Sequence, residues 1–185
     1  PENHYPFFVC IYKQNHIIND LNSCESTLSF DLTQPTPLFT DILSLNNYNG
    51  FDISCNGSFD GSIKLNISGG VSPYGILWST GDTTYTISSL GAAEYSVLVI
   101  DENGCQDENS FTLSEPDLLA STIQSVYDYN GYDISCFGEA DGAIDLDVDG
   151  GVQPYNFSWS NGMSSEDLNQ INEGNYMVNI LDANN

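Results

Sequence analysis

The sequence predicts an all-β chain of tandem β-sandwich repeats, and three observations carry that expectation. A segment repeats without a gap, apolar residues alternate with polar ones inside each copy, and turn residues punctuate the alternating runs. Tyr48-Asn49-Gly50-Phe51-Asp52-Ile53-Ser54-Cys55 returns as Tyr129-Asn130-Gly131-Tyr132-Asp133-Ile134-Ser135-Cys136, 81 residues on. The same offset carries Asp60-Gly61 to Asp141-Gly142, Gly69-Gly70-Val71 to Gly150-Gly151-Val152 and Trp78-Ser79 to Trp159-Ser160. Of the 57 positions from Tyr48 to Gly104, 24 are identical to the residue 81 further on. Backwards, the offset links Cys24, Phe30 and Pro35 to Cys105, Phe111 and Pro116. The expected division is 1–35, the C-terminal part of a preceding repeat in which 1–13 is atypical; 36–116, a complete repeat; and 117–185, a repeat lacking its last strand. Such a division is that of a window on a longer array.

Each repeat is expected to hold short strands. After Gly61, Ile63, Leu65 and Ile67 alternate with Ser62, Lys64, Asn66 and Ser68, and the second copy sets Ile144, Leu146 and Val148 against Asp145, Asp147 and Asp149. This is the pattern of a strand with one face buried and one wet. The Asp145, Asp147, Asp149 row then reads as a solvated face. Next come Tyr74, Ile76 and Trp78, matched by Tyr155, Phe157 and Trp159, and then Tyr95, Val97 and Val99, matched by Tyr176, Val178 and Ile180. Their spacing points Tyr74 and Trp78 inward, as core and not as a sugar-stacking platform. Asp101-Glu102-Asn103-Gly104 reads as a hairpin turn in which Asn-Gly supplies positive φ, and the run ending Phe111-Thr112-Leu113 is the last strand. Gln34-Pro35 and Glu115-Pro116 mark stiffened junctions.

A Trp on the third strand and a Tyr opening the penultimate one make the expected sandwich immunoglobulin-like. Ala92-Ala93-Glu94-Tyr95 and Glu173-Gly174-Asn175-Tyr176 have the form of a tyrosine corner, the hydroxyl reaching an upstream backbone group. Two residues beyond, Val97 and Val178 stand where antibody domains carry a cysteine, so the inter-sheet disulfide of those domains is not expected. With strands of ten or so residues, each repeat would be a bead of roughly 35–45 Å.

Composition removes several functions. Lys and Arg number 2 against 26 Asp and Glu, a formal net charge of -24, so binding that neutralises phosphates is excluded and nucleic acid is not an expected partner. The same field repels anionic membrane surfaces. No apolar run approaches the roughly 18–20 residues that cross a bilayer, so membrane insertion is not expected, and the N-terminus lacks the basic and apolar regions of a secretory signal. His4 and His16 both lie in the least regular stretch, so nothing arranges a triad, and enzymatic activity is not expected.

The five cysteines are Cys10, Cys24, Cys55, Cys105 and Cys136. Their spacing is not that of a zinc site. A Cys55–Cys105 disulfide, free thiols and contacts between neighbouring repeats are all open, and an immunoglobulin topology that put the two positions at opposite ends would forbid the first. Asp52, Asp60 and Asp101 recur as Asp133, Asp141 and Asp182 near loops, where carboxylates and carbonyls suit Ca²⁺. They also suit ordinary turns. Calcium is the one cofactor considered, and none is required.

The motifs resemble the SprB-type repeat of gliding-motility adhesins and other giant surface proteins of the Bacteroidetes. The match rests on Ser-Cys-x-Gly-x-x-Asp-Gly at 54–61 and 135–142, Gly-Gly-x-x-Pro-Tyr at 69–74 and 150–155, Trp-Ser-x-Gly at 78–81 and 159–162, Tyr-x-Val, and Asp-x-Asn-Gly-Cys at 101–105. The resemblance implies export by the type IX route, cell-surface display, and adhesion or traction during gliding. It also implies neighbouring repeats as partners and a surface polysaccharide or substratum as ligand. A passive stalk and a calcium-dependent binding module are the alternatives. Asp82-Thr83-Thr84 resembles the short O-glycosylation signal of the same bacteria, making Thr83 a candidate glycan site. The Asn-x-Ser sequons at Asn56, Asn66 and Asn156 carry little weight in a bacterium.

Overall fold

A computed structural model describes residues 13–19 and 25–184; His4, Cys10 and Cys24 lie outside the described residues. The chain is all-β, with thirteen strands paired antiparallel in five sheets and no helix among the described residues. None is therefore long and apolar enough to cross a membrane. The first two strands, β1 (Lys13–Asn19) and β2 (Glu25–Asp31), form a hairpin that holds His16 in β1.

The next six strands make two sheets. β3 (Phe39–Ser44), β4 (Gly61–Ser68) and β6 (Thr86–Leu90) lie in the order β3-β4-β6, and β5 (Gly75–Trp78), β7 (Glu94–Ile100) and β8 (Gln106–Thr112) in the order β5-β7-β8. The same arrangement returns with β9 (Ala120–Ser125), β10 (Gly142–Asp149) and β12 (Leu168–Ile171) in one sheet and β11 (Asn156–Trp159) and β13 (Val178–Leu181) in the other. β3 and β9, β4 and β10, and β5 and β11 each begin 81 residues apart. Strands run four to eight residues, fewer than the ten expected. The longest spans only about 26 Å at ~3.3 Å per residue, and the loops at the two ends add to it.

Both sheets of the first pair feed one core. Ile63 and Leu65 from β4 and Ile87 from β6 meet Ile76 and Trp78 from β5 and Val97 and Val99 from β7. The second pair buries Leu146, Trp159, Leu168 and Ile171, with Val178 and Ile180 packed against them. The alternation read from sequence is thus the alternation of burial. Trp78 is 2 % exposed, and its indole N–H donates to the Thr84 carbonyl at 2.8 Å, as Trp159 does to Ser165 at 2.9 Å. Burying so large a ring removes much apolar surface, and the N–H bond avoids an orphaned donor. The tyrosine corners form as expected, Tyr95 donating to the Gly91 carbonyl at 3.0 Å and Tyr176 to that of Asn172 at 2.9 Å.

The sheets of the first pair are tied along one edge. Thr40 on β3 donates from its backbone N–H and its hydroxyl to Asp107 on β8, at 2.7 and 2.6 Å, and its carbonyl accepts from Asn109 at 2.9 Å. Thr40 is buried, so these bonds satisfy groups that have no water. Trp78→Ala is expected to cost roughly 3–5 kcal/mol, as lost burial plus a residual cavity; urea unfolding followed by fluorescence of the remaining Trp159 and by circular dichroism measures it.

Candidate functional site

Chemistry-bearing side chains gather at the two ends of each repeat. At one end, the β7–β8 hairpin turns through residues 101–105. Gly104 N–H donates to the Asp101 carbonyl at 3.0 Å and Asp101 N–H to that of Cys105 at 2.9 Å. Gly104 takes φ +82° and Asn103 stays at negative φ, so glycine alone supplies the left-handed residue in place of the expected Asn-Gly pair. The Asp101 carboxylate caps this turn, accepting from Asn103 N–H at 3.0 Å and Cys105 N–H at 2.8 Å through Oδ1. Its Oδ2 crosses to the β4–β5 corner and accepts from Val71 N–H at 2.9 Å. Burial works against charge on Asp101, but the N–H groups of Cys105, Val71 and Asn103 outweigh it and hold the carboxyl below its ordinary pKa. Asp182 repeats the arrangement, with Val152 N–H at 3.0 Å and Asn184 N–H at 2.9 Å.

The corner that receives this carboxylate is Gly69-Gly70. The incoming chain crosses it so closely that a Cβ on Gly69 would lie 1.8 Å from the Pro37 carbonyl oxygen, and one on Gly150 would lie 2.0 Å from that of Leu118. Gly70 N–H bonds the Thr36 carbonyl and Gly151 N–H that of Asp117, both at 2.9 Å. Glycine is required there by close approach and by positive φ together.

The opposite end holds the loop from Tyr48 to Asp60. Asp52 accepts from the Ser114 N–H at 3.0 Å and hydroxyl at 2.8 Å, closing the loop on the end of β8. Burial opposes its charge, and the hydroxyls of Ser44 and Ser114 with the Ser114 N–H outweigh that and lower its pKa. Asp60 accepts from Ser54 N–H at 3.2 Å, and Asp141 from Ser135 N–H at the same distance. The serine hydroxyl is the largest cause lowering each pKa. Gly61, next to Asp60, is buried where a Cβ would come within 3 Å of Ile53 and Leu113.

The aspartates singled out by the sequence therefore do not converge. Asp52 and Asp60 share a loop at one end, Asp101 caps the other, and Asp133, Asp141 and Asp182 repeat that split. Each of the five with hydrogen-bond partners accepts from backbone N–H groups. Among the described residues, no three His, Cys, Asp or Glu side chains are grouped to hold a metal ion.

Cys55, Cys105 and Cys136 are free thiols. The topology sets Cys55 and Cys105 apart: Cys105 immediately precedes β8, whereas Cys55 lies in the loop bonded to its far end. The seven residues of β8 put roughly 24 Å between those ends, against about 4.4–6.8 Å between the Cα atoms of a disulfide. Thr83 is exposed in the β5–β6 loop beside Asp82, whose carboxylate accepts from the Thr80 hydroxyl at 2.7 Å. A cleft of about 700 Å³ lies among Ile134, Phe137, Gly142, Ile171 and Tyr176. Leu113, with Ile53 and Leu90, occupies the corresponding place beside Gly61 in the preceding unit, so the cleft lies where that unit has core.

The SprB repeat family matches the chain twice, at residues 51–83 and 132–164. Together these two stretches, each similar to the SprB repeat, cover about a third of the chain. They begin 81 residues apart, and the family is associated with cell-surface proteins. No curated protein matches the chain. The first matched stretch runs from the Asp52 loop through β4 and β5 to the Trp78 turn, and the second covers the equivalent positions. Its motifs have structural readings: Ser54 and Asp60 close a loop, Gly61 sits under the core, and Gly69 lets the chain cross. Tyr95 and Asp101 lie beyond the matched stretch.

Linkage gives the Asp101 cap a pH signature. A pKa lower in the folded than in the unfolded state stabilises fully above the unfolded value and is lost as pH falls through the folded one. Asp101→Asn is expected to lower Tm at pH 7, with the gap to wild type closing below about pH 4; thermal melts from pH 7 to pH 3 measure it.

Proposed function

We propose that this chain is a segment of a large secreted surface adhesin or filament that works mechanically, in adhesion or gliding motility, and not as an enzyme. The observation that carries this reading is the tandem placement of two SprB repeats whose intervening linker is bonded to both. Each unit is an immunoglobulin-like sandwich: order β3-β4-β6 facing β5-β7-β8 corresponds to strands A-B-E and C-F-G of that fold without strand D. The two separate cores support limits at 36–116 and 117–185, and the β1–β2 hairpin stands 81 residues before β7–β8, as the last two strands of a preceding unit would.

A series of such units bears load along the chain and spreads weak contacts over many copies, so avidity and not one deep pocket holds the cell. A surface polysaccharide or the substratum itself is the ligand class. The net charge of -24 keeps neighbouring filaments apart. Export by the type IX route and a glycan on Thr83 belong to the same reading. A static stalk displaying another domain differs from it only in what the array carries.

Beads coated with antibody against the repeat are expected to bind living cells of the source organism and travel along them. Beads that bind but stay fixed would favour the stalk, and beads that fail to bind would overturn surface display. Five of the six aspartates are engaged with their own backbone, so millimolar Ca²⁺ is expected to leave Tm unchanged. A rise of several degrees that chelator reverses would restore the calcium-dependent module.

A further inference from the structure

Asn184 reaches out of its own repeat. Its side-chain N–H₂ donates to the Ser54 carbonyl at 2.7 Å, and its Oδ1 accepts from the Asn49 side-chain amide at 2.8 Å. Both partners belong to the loop that ends the preceding repeat. Each asparagine is held for the task by local structure. Asn49-Gly50 forms a two-residue turn at φ +53° and +102°, closed by paired Tyr48–Phe51 backbone bonds of 2.8 and 3.2 Å, and this geometry requires positive φ at both positions. Asn184 is fixed by its N–H bond to Asp182, whose other oxygen holds Val152.

The linker between the two repeats is pinned on both sides. Asn56 donates to the Pro116 carbonyl at 3.1 Å, and Gly151 N–H to that of Asp117 at 2.9 Å. Pro116 is fully buried. Identical residues at equivalent positions show what the contact covers: Val152 is buried where Val71 is half-buried, and Asn184 is half-buried where Asn103 is exposed.

We infer that the Asp182–Asn184 turn and the Tyr48–Ser54 loop are the two halves of a joint that fixes the pose of one repeat on the next. Both repeats carry both halves, Tyr48–Ser54 with Asp101–Asn103 and Tyr129–Ser135 with Asp182–Asn184. Asn103 and Val71 at one free end, and Asn130 and Ser135 at the other, take a further repeat of the same kind. The joint sets how units stack, whether the array adheres, glides or only spaces.

Small-angle X-ray scattering of the full chain tests it. Wild type is expected to fit one inter-repeat pose, and Asn184→Ala to require a broad ensemble of poses while near-UV circular dichroism is unchanged. Asn49→Gly, which keeps the positive-φ turn and leaves Asp182 untouched, is expected to loosen the joint in the same way and so covers the case in which Asn184→Ala disturbs its own turn. Asn103→Ala, whose counterpart loop is not in this chain, is expected to scatter as wild type. Scattering of Asn49→Gly indistinguishable from wild type, or a change of equal size in Asn103→Ala, would overturn the joint.

Discussion

One carboxylate organises the end of each repeat. Asp101, and Asp182 after it, gathers N–H groups of its own hairpin turn and one from the β4–β5 corner. Such groups have no ladder partner, and leaving them unpaired beside a core is costly. By satisfying them from a single charged acceptor, the aspartate binds a turn of one sheet to a corner of the other. The glycine pair, the crossing linker and the asparagine that reaches the neighbouring repeat are all placed by that tie. The buried tryptophans hold the sheets together, but the aspartates decide what each repeat presents at its end.

Much of the fold was legible because period-2 alternation records which face is buried. Ile63 and Leu65, Ile76 and Trp78, and Val97 and Val99 all fall inward as their spacing demands. β6 escaped for a physical reason. Ser89 sits at φ +59°, and Gln170 in β12 at φ +56°. Each sets its strand off the regular pleat, so the buried residues fall three apart, at Ile87 and Leu90 and at Leu168 and Ile171. A strand interrupted in this way does not show a two-residue period. β3 escaped differently, since Thr40 points inward to Asp107 while Phe39 and Leu43 face out.

The candidate sites were less legible, because a repeated aspartate near a loop has the same sequence signature as ligand and as cap. What separates the two is where nearby N–H groups point, and that is fixed only once the turn has closed. Cys55 and Cys105 lie in one repeat, yet membership of a repeat says nothing of which end each occupies. The joint itself was invisible. Asn49 and Asn184 look like common turn residues, and their contact spans 135 positions between two copies.

Because each unit bears both complementary faces, no contact depends on how many units precede or follow. A gene of this design can gain or lose whole 81-residue blocks by unequal recombination, and every new neighbour meets surfaces already matched to it. Loss of a fraction of a block would instead expose a core. Length is therefore a trait such an array can change without altering any joint, so long as whole blocks are exchanged.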